Sequence, residues 1–113
     1  MKEKKQTLKE TFVEAFKSYK EKDYNKAEIY CYKIISIDPY HIDSLFLLAT
    51  ISAINTSYSK AKTFLDKIIQ VDPNNVNALH NLGTVYKELG KINEAINLFE
   101  KVLIINPEHI NAN

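Results

Sequence analysis

The sequence predicts an all-α protein built as a solenoid of three helical hairpins, six helices in all. Two repeated features carry that expectation. The segments "SIDPYH", "QVDPNN" and "IINPEH" place prolines at 39, 73 and 107, 34 residues apart each time, and alanines at 27, 61 and 95 precede them by twelve residues. Self-similarity at such a period marks an array of supersecondary units. Within each period the apolar residues recur at helical spacing. Each proline then ends the pattern, because it cannot continue a helix and biases the residue before it away from helical geometry. The units are 8–41, 42–75 and 76–109, with a lysine-rich lead at 1–7 and the first residues of a fourth unit at 110–113.

In the first unit Phe12, Ala15, Phe16 and Tyr19 form one helical stripe; Tyr24, Ala27 and Cys31 form a second, which stops at Asp38 before Pro39. The second unit opens with "LFLLATISAI", Leu45 to Ile54, the most apolar stretch of the chain. It is half the length of a membrane span, which needs roughly 20 residues, and reads as a helix buried on several sides. Its partner carries Tyr58, Ala61 and Leu65 and ends at Asp72 before Pro73. The third unit places Leu79, Leu82, Gly83 and Tyr86 on one helix, punctuates at Gly90, and places Ile92, Ala95, Ile96, Phe99, Val102 and Leu103 on the next. A glycine inside a helix costs roughly 1 kcal/mol against alanine, so Gly83 implies a close approach, whereas Gly90 reads as a stop.

Composition excludes several function classes. A 113-residue chain with 45% hydrophobic and 26% charged residues forms a globular core without staples. Fifteen basic and 14 acidic residues leave a formal charge of +1, too little to argue for nucleic acid or an anionic membrane. Cys31 is the single cysteine, so neither an internal disulfide nor a cysteine-based metal cluster is expected, and it reads as a small buried hydrophobe. No apolar run follows the lysines of "MKEKKQTLKETF", so no secretory signal is expected and a cytoplasmic location is. His41, His80 and His109 lie too far apart in a solenoid, where units touch only neighbours, to share a metal. With no nucleophile, base and orienting group at workable spacing, and no phosphate loop, neither catalysis nor a cofactor is expected.

The third unit resembles the tetratricopeptide repeat family at Leu82, Gly83, Tyr86, Ala95, Phe99 and Pro107, with Leu79 at the position of the family's Trp. The second matches at Leu48, Ala49, Tyr58, Ala61, Leu65 and Pro73, while Ser52 replaces the Tyr and Thr56 the turn glycine. The first keeps Ala15, Tyr24, Ala27 and Pro39, but Thr11 and Glu14 stand where large apolar residues are usual. Two registers of that first helix follow: one with Ala15 at the small position, one displaced by a residue toward Phe12 and Phe16. The resemblance implies a right-handed superhelix whose hairpin helices approach most closely at Ala15, Ala49 and Gly83.

The resemblance also implies a concave groove that binds a peptide or protein segment, lined by the first helix of each unit. Its expected lining is Phe12, Phe16 and Tyr19 from the first unit, Phe46, Leu47 and Thr50 from the second, and Asn77, His80, Asn81 and Thr84 from the third. Lys9, Val13, Lys20, Asp43, Ala53, Ile54, Lys87 and Glu88 complete the groove positions. Family members that hold acidic chaperone tails use a clamp of Lys, Asn and Arg at positions where this chain has Phe12, Phe16, Leu47, Asn77 and Asn81, so that clamp is not expected.

The third unit also resembles the arrays of O-linked N-acetylglucosamine transferases, which line their superhelix with Asn, as Asn81 would here. The expectation is a non-catalytic protein-interaction module. The alternatives are a substrate-recruiting segment of a larger transferase and a self-assembling structural module. Part of the stripe Phe99, Val102, Leu103 and Ile105 is expected to lack a covering helix and to support self-association through the last hairpin.

Overall fold

The computed structural model describes residues 7–108, so His109, the 110–113 segment and most of the lysine-rich lead lie outside the described residues. Six α-helices follow one another: α1 Leu8–Lys20, α2 Tyr24–Ile37, α3 Ile42–Ile54, α4 Tyr58–Val71, α5 Val76–Glu88 and α6 Ile92–Ile105. There is no strand among the described residues. Helices pair as α1·α2, α3·α4 and α5·α6, and α2 packs on α3 as α4 packs on α5, giving a rod of 55 × 26 × 23 Å.

Local chemistry sets the boundaries. Thr7 and Glu10 form a reciprocal capping box: the Glu10 amide donates to Thr7 Oγ1 at 3.1 Å and the Thr7 amide to Glu10 Oε1 at 3.0 Å. Asp23 caps α2 through the Lys26 amide at 3.2 Å, and Asn75 caps α5 through the Ala78 amide at 2.9 Å. In α3 an imidazole does this work: the Ser44 amide donates to His41 Nδ1 at 3.2 Å. Each second helix ends at Asp38, Asp72 or Asn106, with φ of −127°, −139° and −139°, as the following proline requires. Within each hairpin the turn needs one left-handed residue, and Lys22 (φ 65°), Thr56 (φ 58°) and Gly90 (φ 81°) occupy it in the same register.

Ala27, Ala61 and Ala95 are all buried, with Cys31, Ile34, Leu45, Leu48, Leu65, Ile68 and Val102 around them. In α1 the buried face is Thr11, Ala15 and Ser18, so Ala15 keeps the small position and the displaced register is not adopted. The two hydroxyls tolerate burial because they donate to backbone carbonyls one turn back, Thr11 to Thr7 at 3.0 Å and Ser18 to Glu14 at 2.9 Å. Phe12 is therefore half-buried, and Phe16 keeps 44% of its surface exposed.

The two ends of the rod differ. Where α3 buries Leu45, Leu48 and Ile51, and α5 buries Leu79, Leu82 and Val85, the same register in α1 carries Thr11, Glu14 and Lys17. The other end is apolar, with Ile92 51%, Ile96 46% and Leu103 41% exposed along one face of α6. Within the stripe Phe99, Val102, Leu103 and Ile105, part of which is expected to lack cover, Leu103 and Ile105 are 41% and 37% exposed, while Val102 is fully buried because it shares its face with Ala95, seven residues earlier. None of the helices among the described residues is long and apolar enough to cross a membrane.

Candidate functional site: a groove along the first helices

The first helices α1, α3 and α5 line two adjoining cavities that share Thr50. The first, of about 380 Å³, lies between α1 and α3 and is lined by Phe12, Phe16, Tyr19, Asp43, Phe46, Leu47 and Thr50. The second, of about 350 Å³, lies between α3 and α5 with α4 behind it; Ala49, Thr50, Ala53, Ile54, Tyr58, Leu65, Asn81, Thr84, Val85 and Glu88 line it. Of the ten residues of the expected lining, six meet in the first cavity and three in the second, Thr50 counting in both; of the further groove positions, Asp43 joins the first and Ala53, Ile54 and Glu88 the second. Asn77 and His80 line neither; the His80 ring sits 5.5 Å from that of Phe99, against the second helix of its own hairpin.

Helical spacing makes the first cavity aromatic. Phe12, Phe16 and Tyr19 recur along one face of α1, with ring centroids 6.3 Å apart for Phe12 and Phe16 and 5.9 Å for Phe16 and Tyr19. The His41 ring approaches Phe12 at 5.9 Å and Tyr24 approaches Tyr19 at 5.9 Å, so neighbouring elements hold both ends of the row. Leu47, at 6% exposure, forms floor rather than contact surface. The Lys20 ammonium stands 5.5 Å from the Phe16 centroid, a cation–π contact within α1. Lys17 and Lys20 line a second depression on α1, with Val13 and Glu21, which shares Phe12 and Phe16 with the first cavity.

Residue-type patterning did not single out Ala49, Tyr58, Leu65 or Val85 as lining. Three of them belong to the core and show the groove one edge only. Tyr58 had a usable signal, since an aromatic opens the second helix of two units, at Tyr24 and Tyr58. Burial pushes the Cys31 thiol up to about 12, the negative charge of Glu28 adds to the rise, and the Ser44 hydroxyl partly offsets it. A thiol held protonated is a poor nucleophile and metal ligand. Among the described residues no group of three His, Cys, Asp or Glu side chains could hold a metal ion.

The repeats, the turns and the small-residue register define a class, and comparison with known proteins places the chain within it. A family model for subunit 3 of the anaphase-promoting complex, or cyclosome, matches residues 20–102; the chain belongs to that family, which is of the tetratricopeptide repeat type. No curated protein sequence matches.

Among solved structures, the first tetratricopeptide domain of Spaghetti (RPAP3), bound to the HSP90 peptide SRMEEVD, superposes with a TM-score of 0.86 at 20% identity, over 96% of this chain and 86% of that one. YrrB, a tetratricopeptide protein with an unusual peptide-binding site, gives 0.83 at 16% identity, over 94% and 55%. An O-GlcNAc transferase mutant from Thermobaculum terrenum gives 0.82 at 24% identity, over 90% of this chain and 20% of that one. The chain thus spans about a fifth of the transferase, and at these identities the likeness concerns the fold.

Proposed function

We propose that the chain is a non-catalytic interaction module, working in the cytoplasm, that holds an extended peptide or protein segment along the groove of α1, α3 and α5. The carrying observation is the row Phe12, Phe16, Tyr19 and Phe46 beside a cavity of about 380 Å³, all outside the fully buried core. Large rings left accessible in a concave surface are the side chains that tend to dominate binding energy. Two fold neighbours described with peptides or peptide sites support the reading. The units we propose for it are 8–41, 42–75 and 76–109. Selection of random ten-residue peptides on the immobilised chain tests it: peptides should enrich on the wild type and be lost on Phe46→Ala at an unchanged melting temperature. A melting temperature that falls with Phe46→Ala would make that ring structural, and no enrichment at all would reject the groove.

A second reading, a substrate-recruiting segment of a larger transferase, is favoured by Asn81 in the second cavity and by the fold likeness to the transferase array. Reading the encoding gene past residue 113 separates the two. Self-association would use a different surface, the apolar face of α6.

A further inference from the structure

We infer that the groove, read as a peptide site, selects a segment carrying a cationic side chain, seated over the α1 and α3 rings beside Asp43. The inference rests on the proposed groove function and adds the chemistry of its ligand. Charge is the first argument. All 15 basic residues of the chain are lysines, slightly outnumbering the 14 acidic ones, yet the charged side chains lining the two cavities are both carboxylates, Asp43 and Glu88, and Lys17 and Lys20 stand on the other side of Phe12 and Phe16.

Neither carboxylate is neutralised by contact: the one salt bridge among the described residues is Lys62–Asp66 on α4, 2.9 Å long. Asp43 stands in the first turn of α3, at the mouth of the first cavity. The rings supply the second argument. An aromatic face carries negative electrostatic potential, so Phe12, Phe16, Tyr19 and Phe46 attract the same sign of charge as Asp43 and disfavour a carboxylate ligand. Phe16 already holds one cation, the ammonium of Lys20, at 5.5 Å.

An arginine fits this combination best, since its planar guanidinium stacks on rings while donating to a carboxylate. The polarity is the reverse of a groove that clamps acidic tails with lysines, and it matches the substitution of Phe12, Phe16 and Leu47 at those positions.

Two measurements on the whole chain test this. In the peptide selection on wild type, enriched sequences should carry Arg or Lys at one position, and on Asp43→Asn that bias should disappear while peptides still enrich. In parallel, N-acetyl-arginine methylamide should shift the amide signals of Phe46 and Thr50, bind about fivefold more weakly to Asp43→Asn, and exceed its uncharged citrulline analogue by a similar factor. Because the chain contains no arginine, contacts between guanidinium-bearing side-chain protons and the rings are assigned without ambiguity. Enrichment with no basic bias, enrichment of acidic peptides, or equal binding of the arginine and citrulline probes would overturn the inference and leave the groove reading standing. If no peptide enriches, both fall.

Discussion

Phe99 lies over Gly83 so closely that a Cβ placed on the glycine would stand 2.6 Å from Phe99 Cε1. The hairpin of α5 and α6 closes by setting its largest partner against no side chain. In the same register the other hairpins carry Ala49 with Leu65 and Ala15 with Cys31, so the glycine goes with the largest of the three partners. Gly90 differs: nothing lies within 4 Å of its would-be Cβ, and its φ of 81° is the reason for glycine. One glycine answers to space, the other to backbone conformation.

Gly83→Ala should therefore destabilise the chain. Overpacking costs about 1–3 kcal/mol and helix propensity returns about 1, leaving a net loss of about 1 kcal/mol. Adding Phe99→Leu recreates the Ala–Leu pair of the second hairpin. The double variant should recover part of the loss that Gly83→Ala causes, with a coupling energy of about 1–2 kcal/mol in urea unfolding. Additive losses would show that Phe99 simply moves aside.

The turn register allows a stabilising change. Thr56 is β-branched and adopts φ 58°, a region that costs such residues about 1–2 kcal/mol. Thr56→Gly should raise stability by about 1 kcal/mol, after the loss of the Thr56 hydroxyl bond to the Asn55 carbonyl at 2.6 Å. Lys22→Gly should act in the same direction. Thermal unfolding of the single and double variants decides this, and a lower melting temperature for both singles would contradict it.

The Cys31 thiol ties stability to alkaline pH. Its ordinary value is 9.0, and burial holds it near 12 in the folded chain. Above pH 9 the unfolded chain loses this proton while the folded one keeps it. The contribution is thus full below about pH 9 and is lost as pH rises toward 12, at about 1.4 kcal/mol per unit. The stability difference between wild type and Cys31→Ala, measured in urea from pH 7 to 10.5, should be constant up to pH 8 and move against the wild type above pH 9. A flat difference would mean that the thiol ionises in place.

The exposed face of α6 predicts association without an effect on folding. Ile92→Lys with Ile96→Lys should remove concentration-dependent light scattering and leave the unfolding midpoint of dilute protein unchanged, since both side chains are about half exposed. The wild type scattering as a monomer at all concentrations would count against association through this face.

Much of this architecture is legible in the sequence, because spacing alone carries it. Three prolines and three alanines at a fixed period locate the hairpins, and Gly83 announces a close contact. The end of α1 was harder to read. Thr11 and Ser18 are polar by type but occupy buried positions, because their hydroxyls bond to carbonyls of their own helix; Phe12 and Phe16 are apolar by type but face the groove. The His41 cap was equally hidden, since imidazole is not among the usual capping side chains. In the groove, the aromatic residues that line the first cavity stand at positions the family resemblance points to. His80, expected in the lining, instead turns its ring to Phe99, a contact across the hairpin that no spacing within α5 reveals.

The polar register of α1 also bears on how the chain leaves the ribosome. Of the three hairpins the first to be translated is the one whose leading helix carries Thr11, Glu14 and Lys17 at positions where the later ones carry leucines and their like. Once α1 and α2 have closed, α3 is the next helix to emerge, and it packs chiefly on α2. Each later hairpin repeats the step. While these three hairpins are made, the stack grows from the side on which the next helix will pack.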